Sequence, residues 1–358
     1  MKYKKLNLEN LTFDKVQSYD AAKTYLLENN RPIHFLMGNG FSMSFDYDIF
    51  SYNALHRFIE GLNDKILKQV FEVINSKNFE LIMTQLDNFI EMATKLSTDK
   101  VFIDKLVEAN TKLKSSLIDA VSSLHPEHVY EVAQEKSKTC FEFLSTFYNS
   151  KGSVFSTNYD LLLYWVLMRN DSKISNDGFG MECLNPSDIK KGEDAIFDDL
   201  QWGKYKDEQN TFYLHGALQL FDTGVEIEKE TYKNRTYLLN NIKKRLEAKE
   251  YPIFVTAGNG DEKLKHIKHN SYLNFCYDSF SSIKGSLVTF GFNFGEYDEH
   301  LIEAINKAAK RGAQDGNKLF SIYIGVYSEN DFKHIQSIEH KFDCKVNVYK
   351  SETTNIWG

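Results

Sequence analysis

Short apolar segments recur along the chain and alternate with segments of helical periodicity. The apolar runs are rich in β-branched and aromatic residues, and several are apolar throughout, as in strands that helices cover on both faces. They begin near residues 33, 153, 211, 252, 286, 319 and 345. Between the first two, apolar positions recur about once per helical turn within residues 61–75, 79–98, 102–123 and 128–149. The pattern predicts an α/β fold with a Rossmann-like, mostly parallel sheet.

The spacing of the predicted strands is uneven. About 110 residues of mainly helical pattern separate the first strand from the second, whereas a βαβ unit needs only ~30 residues. We therefore expect one domain, residues 1–358, with a large helical insertion at about 55–149 and a second insertion at about 171–250. The sequence contains no internal repeat, low-complexity tract or linker that would favour two domains.

Composition and charge narrow the class of protein. Of the 358 residues, 42% are hydrophobic and 26% charged, which is typical of a folded, soluble protein. The formal net charge of −7 argues against a surface for nucleic acid or anionic lipid, and no run of apolar residues is long enough for a signal peptide or a membrane span. The four cysteines are widely spaced, so we expect neither disulfides nor a zinc ribbon, and a cytoplasmic location.

The first predicted strand ends in a glycine-rich turn. In "HFLMGNGFS", residues 34–42, Gly38 and Gly40 follow the apolar run and Ser42 comes two residues later. Such a turn brings backbone close to a phosphate in nucleotide-binding folds, but it also serves as a plain strand-to-loop turn. The dinucleotide fingerprint needs a third glycine where this chain has Met43, so the residues alone leave both interpretations open.

Polar residues also end three later strands, and open α/β sheets bind ligands beyond the carboxyl ends of their strands. The segments are "STNYD" at 156–160, His215–Gly216, and "GFNFGEYDEHL" from Gly291. Each has a structural alternative. Serine, threonine, asparagine and aspartate are the preferred helix N-caps, a single histidine is often structural, and the last segment is also typical of a loop followed by a helix cap.

The order of these motifs resembles that of the sirtuin-like family of NAD-consuming domains. Gly-x-Gly-x-Ser is followed by Thr-Asn-x-Asp, His-Gly, and Gly-x-Asn with a later aspartate, a likeness that extends from Gly38 to about Leu301. The chain looks most similar to the bacterial branch that cleaves NAD, often in antiphage defence. It lacks the cysteine pairs of the zinc module of true sirtuins, so protein deacylation is not expected.

The resemblance implies a role for each motif. Asn158 would orient a water molecule or the ribose, and His215 would accept a proton. The backbone N–H groups of Gly38 and Gly40 would approach the phosphates of NAD, with Ser42 as a hydroxyl donor. The full set of implied NAD-binding residues is Gly38, Asn39, Gly40, Ser42, Phe50, Thr157, Asp160, Gly291, Asn293 and Asp298.

The function expected from this resemblance is NAD glycohydrolysis, which gives nicotinamide and ADP-ribose, with NAD as substrate and no metal. Two alternatives remain: a non-catalytic regulatory module that binds NAD or ADP-ribose, and an ADP-ribosyl transferase. An enzyme that depletes NAD needs restraint, so we expect a homo-oligomer or a separate regulatory or sensor protein as partner. The spacings His125-x-x-His128 and His266-x-x-His269 would suit a metal, but exposed helix faces explain them as well.

Overall fold

A computed structural model describes most of the chain. The described residues are 8–47, 65–74, 79–96, 99–124, 131–170, 173–184, 197, 199–231, 237–248, 250–255, 260–295, 298–310 and 318–358. Two β-sheets and a set of flanking helices make up this part of the chain.

The larger sheet has seven strands, and all its neighbouring pairs are parallel. Its spatial order is β1-β12-β11-β10-β2-β3-β6. The strands are β1 (Gln17–Ser18), β2 (Ile33–Met37), β3 (Val154–Ser156), β6 (Thr211–Tyr213), β10 (Gly285–Phe290), β11 (Leu319–Val326) and β12 (Lys345–Lys350).

Strand β2 lies inside this sheet. Each of its five residues is buried, and Phe35 is in register with Val288 of β10 on one side and Val154 of β3 on the other. A strand that is covered on both faces has no polar alternation, which is why four of its five residues are apolar and the fifth, His34, is buried as well. The structure thus confirms the α/β class, and its parallel sheet is consistent with a Rossmann-like arrangement.

The smaller sheet has five strands in the order β4-β5-β8-β7-β9, and its pairs are antiparallel. Its members are β4 (Phe179–Gly180), β5 (Leu200–Trp202), β7 (Gly216–Asp222), β8 (Ile227–Lys229) and β9 (Pro252–Phe254). The segment near residue 252 therefore forms a strand as predicted, but in this second sheet. The range 171–250 contributes to both sheets, because it also contains β6.

Helices flank the two sheets. They are α1 (Tyr19–Glu28), α2 (Asn39–Phe45), α3 (Lys65–Ile74), α4 (Phe79–Leu96), α5 (Lys100–Leu124), α6 (Gln134–Asn149), α7 (Leu162–Arg169), α8 (Leu238–Glu247), α9 (Gly260–His269), α10 (Ser271–Phe280), α11 (Glu299–Lys310) and α12 (Glu329–Ile338). The run from α3 to α6 falls within the predicted helical insertion. Within the described residues, no helix combines the length and apolar character that crossing a membrane requires.

The short helix α2 is held in place by a tryptophan far away in the sequence. The ring of Trp357 packs against Phe41 and Phe45 with centroid distances of 5.0 and 4.9 Å. Its indole Nε1–H also donates to the carbonyl oxygen of Phe41 at 3.2 Å. A helix of seven residues is unstable by itself, so these tertiary contacts fix its position at the end of β2.

Candidate active site

Four neighbouring strands of the parallel sheet carry the predicted motifs at their carboxyl ends. The sheet places β10, β2, β3 and β6 side by side in that order. Because the strands are parallel, the segments that follow them emerge at one edge. The glycine turn, the Thr-Asn-x-Asp segment, the His-Gly pair and the Gly-x-Asn loop therefore all begin at the same edge of the sheet.

The glycine turn after β2 touches the turn after β10. A Cβ atom on Gly40 would lie 2.5 Å from the Cα of Gly291, and a Cβ atom on Gly38 would lie 2.5 Å from the carbonyl oxygen of Gly291. Gly291 itself has a φ of +65°, in the left-handed region that favours glycine. The three glycines thus permit a backbone contact that side chains would block.

This contact corrects part of the predicted phosphate cradle. The N–H of Gly38 donates to the carbonyl oxygen of Phe290 at 3.0 Å, and the N–H of Gly40 donates to that of Gly291 at 3.0 Å. Both donors are therefore engaged within the protein, and the prediction that they face the phosphates of NAD is wrong for this conformation. The sequence could not indicate this, because the acceptors are about 250 residues away in the chain.

The motifs after β2 and β3 meet in a buried hydrogen-bonded chain, which we call the amide network (Ser42, Asn158 and Asp160). The Nδ2 group of Asn158 donates to Ser42 Oγ at 2.8 Å, and Ser42 Oγ donates to Asp160 Oδ2 at 2.5 Å. The other carboxyl oxygen, Asp160 Oδ1, accepts the N–H of Leu162 at the start of α7 at 2.9 Å. Asp160 thus agrees with both interpretations of its motif. It accepts a hydrogen bond from the N-terminus of α7, as a helix cap does, and it also positions Ser42.

Burial controls the charge within the amide network. All three side chains are buried, and desolvation raises the pKa of Asp160 above its usual range. The hydrogen bonds from Ser42 and from the N–H of Leu162 oppose that shift, because they stabilise the carboxylate. Among the described residues, none donates a hydrogen bond to Asn158 Oδ1, so this oxygen could accept a hydrogen bond from a water molecule or a sugar hydroxyl.

The motifs after β6 and β10 meet in a second group, the histidine cluster (His215, Lys263, Asp298 and His300). The Nε2 atoms of His215 and His300 are 2.9 Å apart, and the two rings are nearly parallel, with an interplanar angle of 27°. Lys263 Nζ lies 3.3 Å from Asp298 Oδ1. Gly216, whose φ is +77°, lets the chain turn directly after His215 from β6 into β7.

Both histidines of the cluster favour the neutral form. Burial, reinforced by the charges of His300 and Lys263, lowers the pKa of His215 well below its usual range. The pKa of His300 is lowered to about 3, first by burial and then by Lys263. Near pH 7 each ring therefore carries one proton, and each has one nitrogen with a free lone pair.

The remaining predicted residues have different surroundings. The hydroxyl and the N–H of Thr157 both donate to the carbonyl oxygen of Met37 at 3.1 Å, which ties the ends of β3 and β2 together. Asn39 Nδ2 contacts the sulfur of Met43 at 3.0 Å within α2. Asn293 is exposed in the loop after β10. Phe50 lies outside the described residues.

Two members of the histidine cluster were missed by sequence reasoning. His300 stands only two residues after Asp298, in the quoted segment "EYDEHL", so its position was visible but its role was not. Lys263 lies on α9, the helix that also carries His266 and His269. Its approach to Asp298 depends on the packing of α9 against α11, which periodicity does not predict.

No group of three or more His, Cys, Asp or Glu side chains able to hold a metal ion occurs in the part of the chain that the structure describes. Of the two histidine spacings, His125 and His128 lie outside that part. His269 is exposed on α9 and His266 is half-buried beside it.

A separate cavity of about 480 Å³ lies beside α7 and the start of β6. Its wall includes the Lys229–Asp177 ion pair, whose nitrogen and oxygen are 2.5 Å apart, and the ring of Tyr164. None of the predicted NAD-binding residues lines this cavity. It is therefore distinct from the sheet edge at which the motifs meet.

A family model matches residues 35–357, described as a domain of unknown function, DUF4917. The chain belongs to the DUF4917 family. The match begins within β2 and contains β3, β6, β10 and all the motifs from Gly38 to Asp298. No curated protein matches the chain. Membership in the DUF4917 family thus covers the whole candidate site.

Proposed function

We propose that this DUF4917 protein is an NAD glycohydrolase that cleaves the bond between nicotinamide and ribose. The observation that supports it most is the meeting of the predicted motifs at one edge of a parallel sheet. Ser42, Asn158 and Asp160 come from separate segments and join in one buried chain of hydrogen bonds. Their order along the sequence is the order by which the chain resembles the sirtuin-like family.

The amide network would orient the reacting groups. Asp160 holds the Ser42 hydroxyl, and this hydroxyl in turn accepts the amide N–H of Asn158. With Nδ2 committed in this way, Asn158 would use Oδ1 to accept a hydrogen bond from the attacking water or from a ribose hydroxyl. A fixed amide of this kind reduces the freedom that the reactants must lose on the way to the transition state.

His215 would be the general base. In the reaction the bond between the ribose carbon and the nicotinamide nitrogen breaks, and its electron pair leaves with nicotinamide as a neutral molecule. A water oxygen bonds to the same carbon through an oxocarbenium-like transition state, and the water gives a proton to His215. Because its lowered pKa keeps His215 neutral near pH 7, the ring retains the lone pair that this step needs.

We propose that the enzyme acts in the cytoplasm in antiphage defence, as the resemblance to the bacterial NAD-cleaving branch implies. Its activity would be restrained either by formation of a homo-oligomer or by a separate sensor protein. NAD would be its small-molecule partner, with no requirement for a metal ion.

The test is to incubate the purified full-length chain with NAD and to measure nicotinamide, ADP-ribose and labelled protein. Repeating it over a range of protein concentrations allows for activation by self-assembly. We expect nicotinamide and ADP-ribose in equal amounts. Bound NAD without products would instead support a regulatory binding module, and label on protein would support transfer of ADP-ribose.

A matched pair of variants tests the assignment of Asn158. Asn158→Ala removes the amide from the site and should lower kcat at least about 100-fold, the loss typical of misplaced reactants. Asn110→Ala makes the same change at an equally buried asparagine on α5, which bonds to Asp87, and should leave kcat unchanged. Full activity in folded Asn158→Ala would remove this residue from the mechanism.

A further inference from the structure

His300 contacts the proposed base at a specific atom. Its Nε2 lies 2.9 Å from Nε2 of His215, so one of these two nitrogens must carry the shared hydrogen. The backbone on both sides is fixed, because the N–H of Val255 donates to the carbonyl of His215 and the hydroxyl of Tyr277 donates to that of His300. Since Nε2 of His215 is occupied, Nδ1 is its one ring nitrogen that can meet a substrate.

The direction of this hydrogen bond decides whether His215 can act as a base. If His300 donates, the proton of neutral His215 lies on Nδ1, and no lone pair is left for a substrate. If His215 donates through Nε2–H, its Nδ1 is bare and can accept a proton. A neutral histidine has one ring proton, so these two arrangements exclude each other.

We propose that His300 is a positioning residue that accepts the Nε2–H of His215 and thereby keeps Nδ1 of His215 free as the base. This inference rests on the proposed function, because it assigns a role within the same site. When Nδ1 of His215 takes the proton from water, the positive charge stays on His215. The bond from Nε2–H to His300 then becomes charge-assisted, and such bonds are roughly twice as strong as neutral ones.

The second ring nitrogen of His300 points to a functional role for this residue. Nδ1 of His300 is buried and has no hydrogen-bond partner among the described residues. When His300 accepts through Nε2, its own proton lies on this unpartnered Nδ1. Buried polar groups are normally paired, and an unpaired one calls for an explanation such as a catalytic role. Holding the productive tautomer of His215 provides that explanation.

His34 is a buried histidine with a different hydrogen-bonding pattern. Its Nδ1 accepts the N–H of Ser153 at 3.0 Å, and its Nε2 donates to the carbonyl oxygen of Lys284 at 2.9 Å. Both ring nitrogens are thus satisfied by backbone, as expected for a structural histidine. It is as buried as His215, which makes it a suitable control.

The experiment compares His300→Leu, His300→Gln and His34→Gln in the full-length chain. Leucine removes the acceptor, whereas the side-chain oxygen of glutamine can replace it. We expect kcat for NAD to fall about 100-fold in His300→Leu, within the range typical of lost base function, with KM little changed. His300→Gln should recover most of that loss. His34→Gln should lower the melting temperature and leave kcat unchanged.

Side-chain ¹⁵N NMR spectroscopy of the histidines provides a readout that does not need turnover. The signal of His215 is assigned by its loss in His215→Ala. We expect the Nε2–H tautomer in the wild-type protein and a mixture of tautomers in His300→Leu. An Nδ1–H tautomer of His215 in the wild type, with or without bound ADP-ribose, would overturn the inference, and this holds even if a leucine variant does not fold.

The two proposals fail in different ways. A wild-type protein that binds NAD without releasing nicotinamide contradicts the proposed function, while the NMR measurement still tests His300. An active wild type whose kcat is the same in His300→Leu contradicts the role of His300 and leaves the glycohydrolase intact. Equal loss of kcat in the leucine and glutamine variants also counts against an acceptor role.

Discussion

The amide network and the histidine cluster lie at the same edge of the sheet but differ in how completely their polar groups are paired. In the amide network, Ser42 both accepts and donates, each carboxyl oxygen of Asp160 accepts a hydrogen bond, and Asn158 Oδ1 is left without a donor among the described residues. In the histidine cluster, one nitrogen of His300 is fully buried and has no partner among the described residues. The side chains of the amide network, His215 and His300 are all buried, so solvent does not explain the difference.

This difference would suit the two groups to different roles, one in positioning a substrate and the other in reacting with it. A paired buried network gains stability and a unique geometry, which suits groups that orient a substrate. A buried nitrogen without a partner costs roughly 1–3 kcal/mol, and such costs are concentrated at functional sites. In the proposed mechanism, the amide network would therefore position the reactants and the histidine cluster would transfer the proton.

The largest expected effect comes from the glycine contact that joins the two regions. Gly291→Val would place a β-branched side chain at a φ of +65° and within 2.5 Å of Gly40. We expect a loss of at least about 4 kcal/mol in the free energy of unfolding, as for other severe steric changes, measured by denaturant titration.

Gly295→Ala is the matched control for that variant. The atom nearest to its added methyl group is Asp298 Oδ2, at 3.9 Å. Its stability should stay within about 0.5 kcal/mol of the wild type. If Gly291→Val were equally stable, the turns after β2 and β10 would not need their close contact.

The next effect is a difference between the two groups in how their contributions to stability depend on pH. Because the pKa values of His215 and His300 are lowered in the folded protein, the unfolded chain takes up protons first as the pH falls below about 6.5. Their contribution to stability is complete above that pH and is lost as it falls towards the folded values, near 3 for His300. Together they should cost about 2 kcal/mol between pH 6.5 and 5.5, since each histidine of the unfolded chain goes from half to nearly full protonation and contributes about 1.

Denaturant titrations across that pH range measure this loss of stability. His34, whose pKa is lowered to about 4, also contributes to it. His300→Leu should have a slope lower by about 1 kcal/mol per pH unit over this range. Asp160→Asn should not lower the slope, because the raised pKa of Asp160 gives a contribution of the opposite sign: it is greatest in acid and is lost as the pH rises. Equal slopes in the wild type and His300→Leu would show that His300 is not buried in its neutral form.

The smallest effect concerns the pairing within the amide network itself. Ser42→Ala leaves the amide N–H of Asn158 and one oxygen of Asp160 without their partner, so stability should fall by about 2 kcal/mol. Thr289→Val removes a hydroxyl that is equally buried but has no partner among the described residues, and should change stability by less than about 0.5 kcal/mol or increase it. Thermal and denaturant unfolding compare the two, and similar losses would mean that the pairing of Ser42 contributes little.

The sequence predicted the parallel sheet and the edge at which its motifs meet because these depend on local patterns and a general rule. A run such as residues 33–37 lacks polar alternation only when both faces are covered, and polar residues that end such runs meet at one edge. The resemblance to the sirtuin-like family then assigned Ser42, Asn158 and Asp160 to one site. The antiparallel sheet was not separated from the parallel one, because β4, β5 and β8 have only two or three residues each and show no periodicity.

The rest of the candidate site depends on contacts between distant segments. Nothing in the sequence indicates that the N–H of Gly38 has a partner, but in the fold it donates to the carbonyl oxygen of Phe290. His300 lies on a helix, and only the approach of that helix to the end of β6 shows its partner. Such packing geometry has no signature in periodicity or spacing.

The indole of Trp357 has a consequence for the order in which the protein becomes functional during synthesis. A ribosome-bound chain that has not reached residue 357 lacks the ring that fixes α2, the helix that contributes Ser42. Strand β1 likewise can pair in the sheet only after β12 has been synthesised. The part of the candidate site that includes Ser42 can therefore reach its final geometry only after residue 357 has been added to the growing chain.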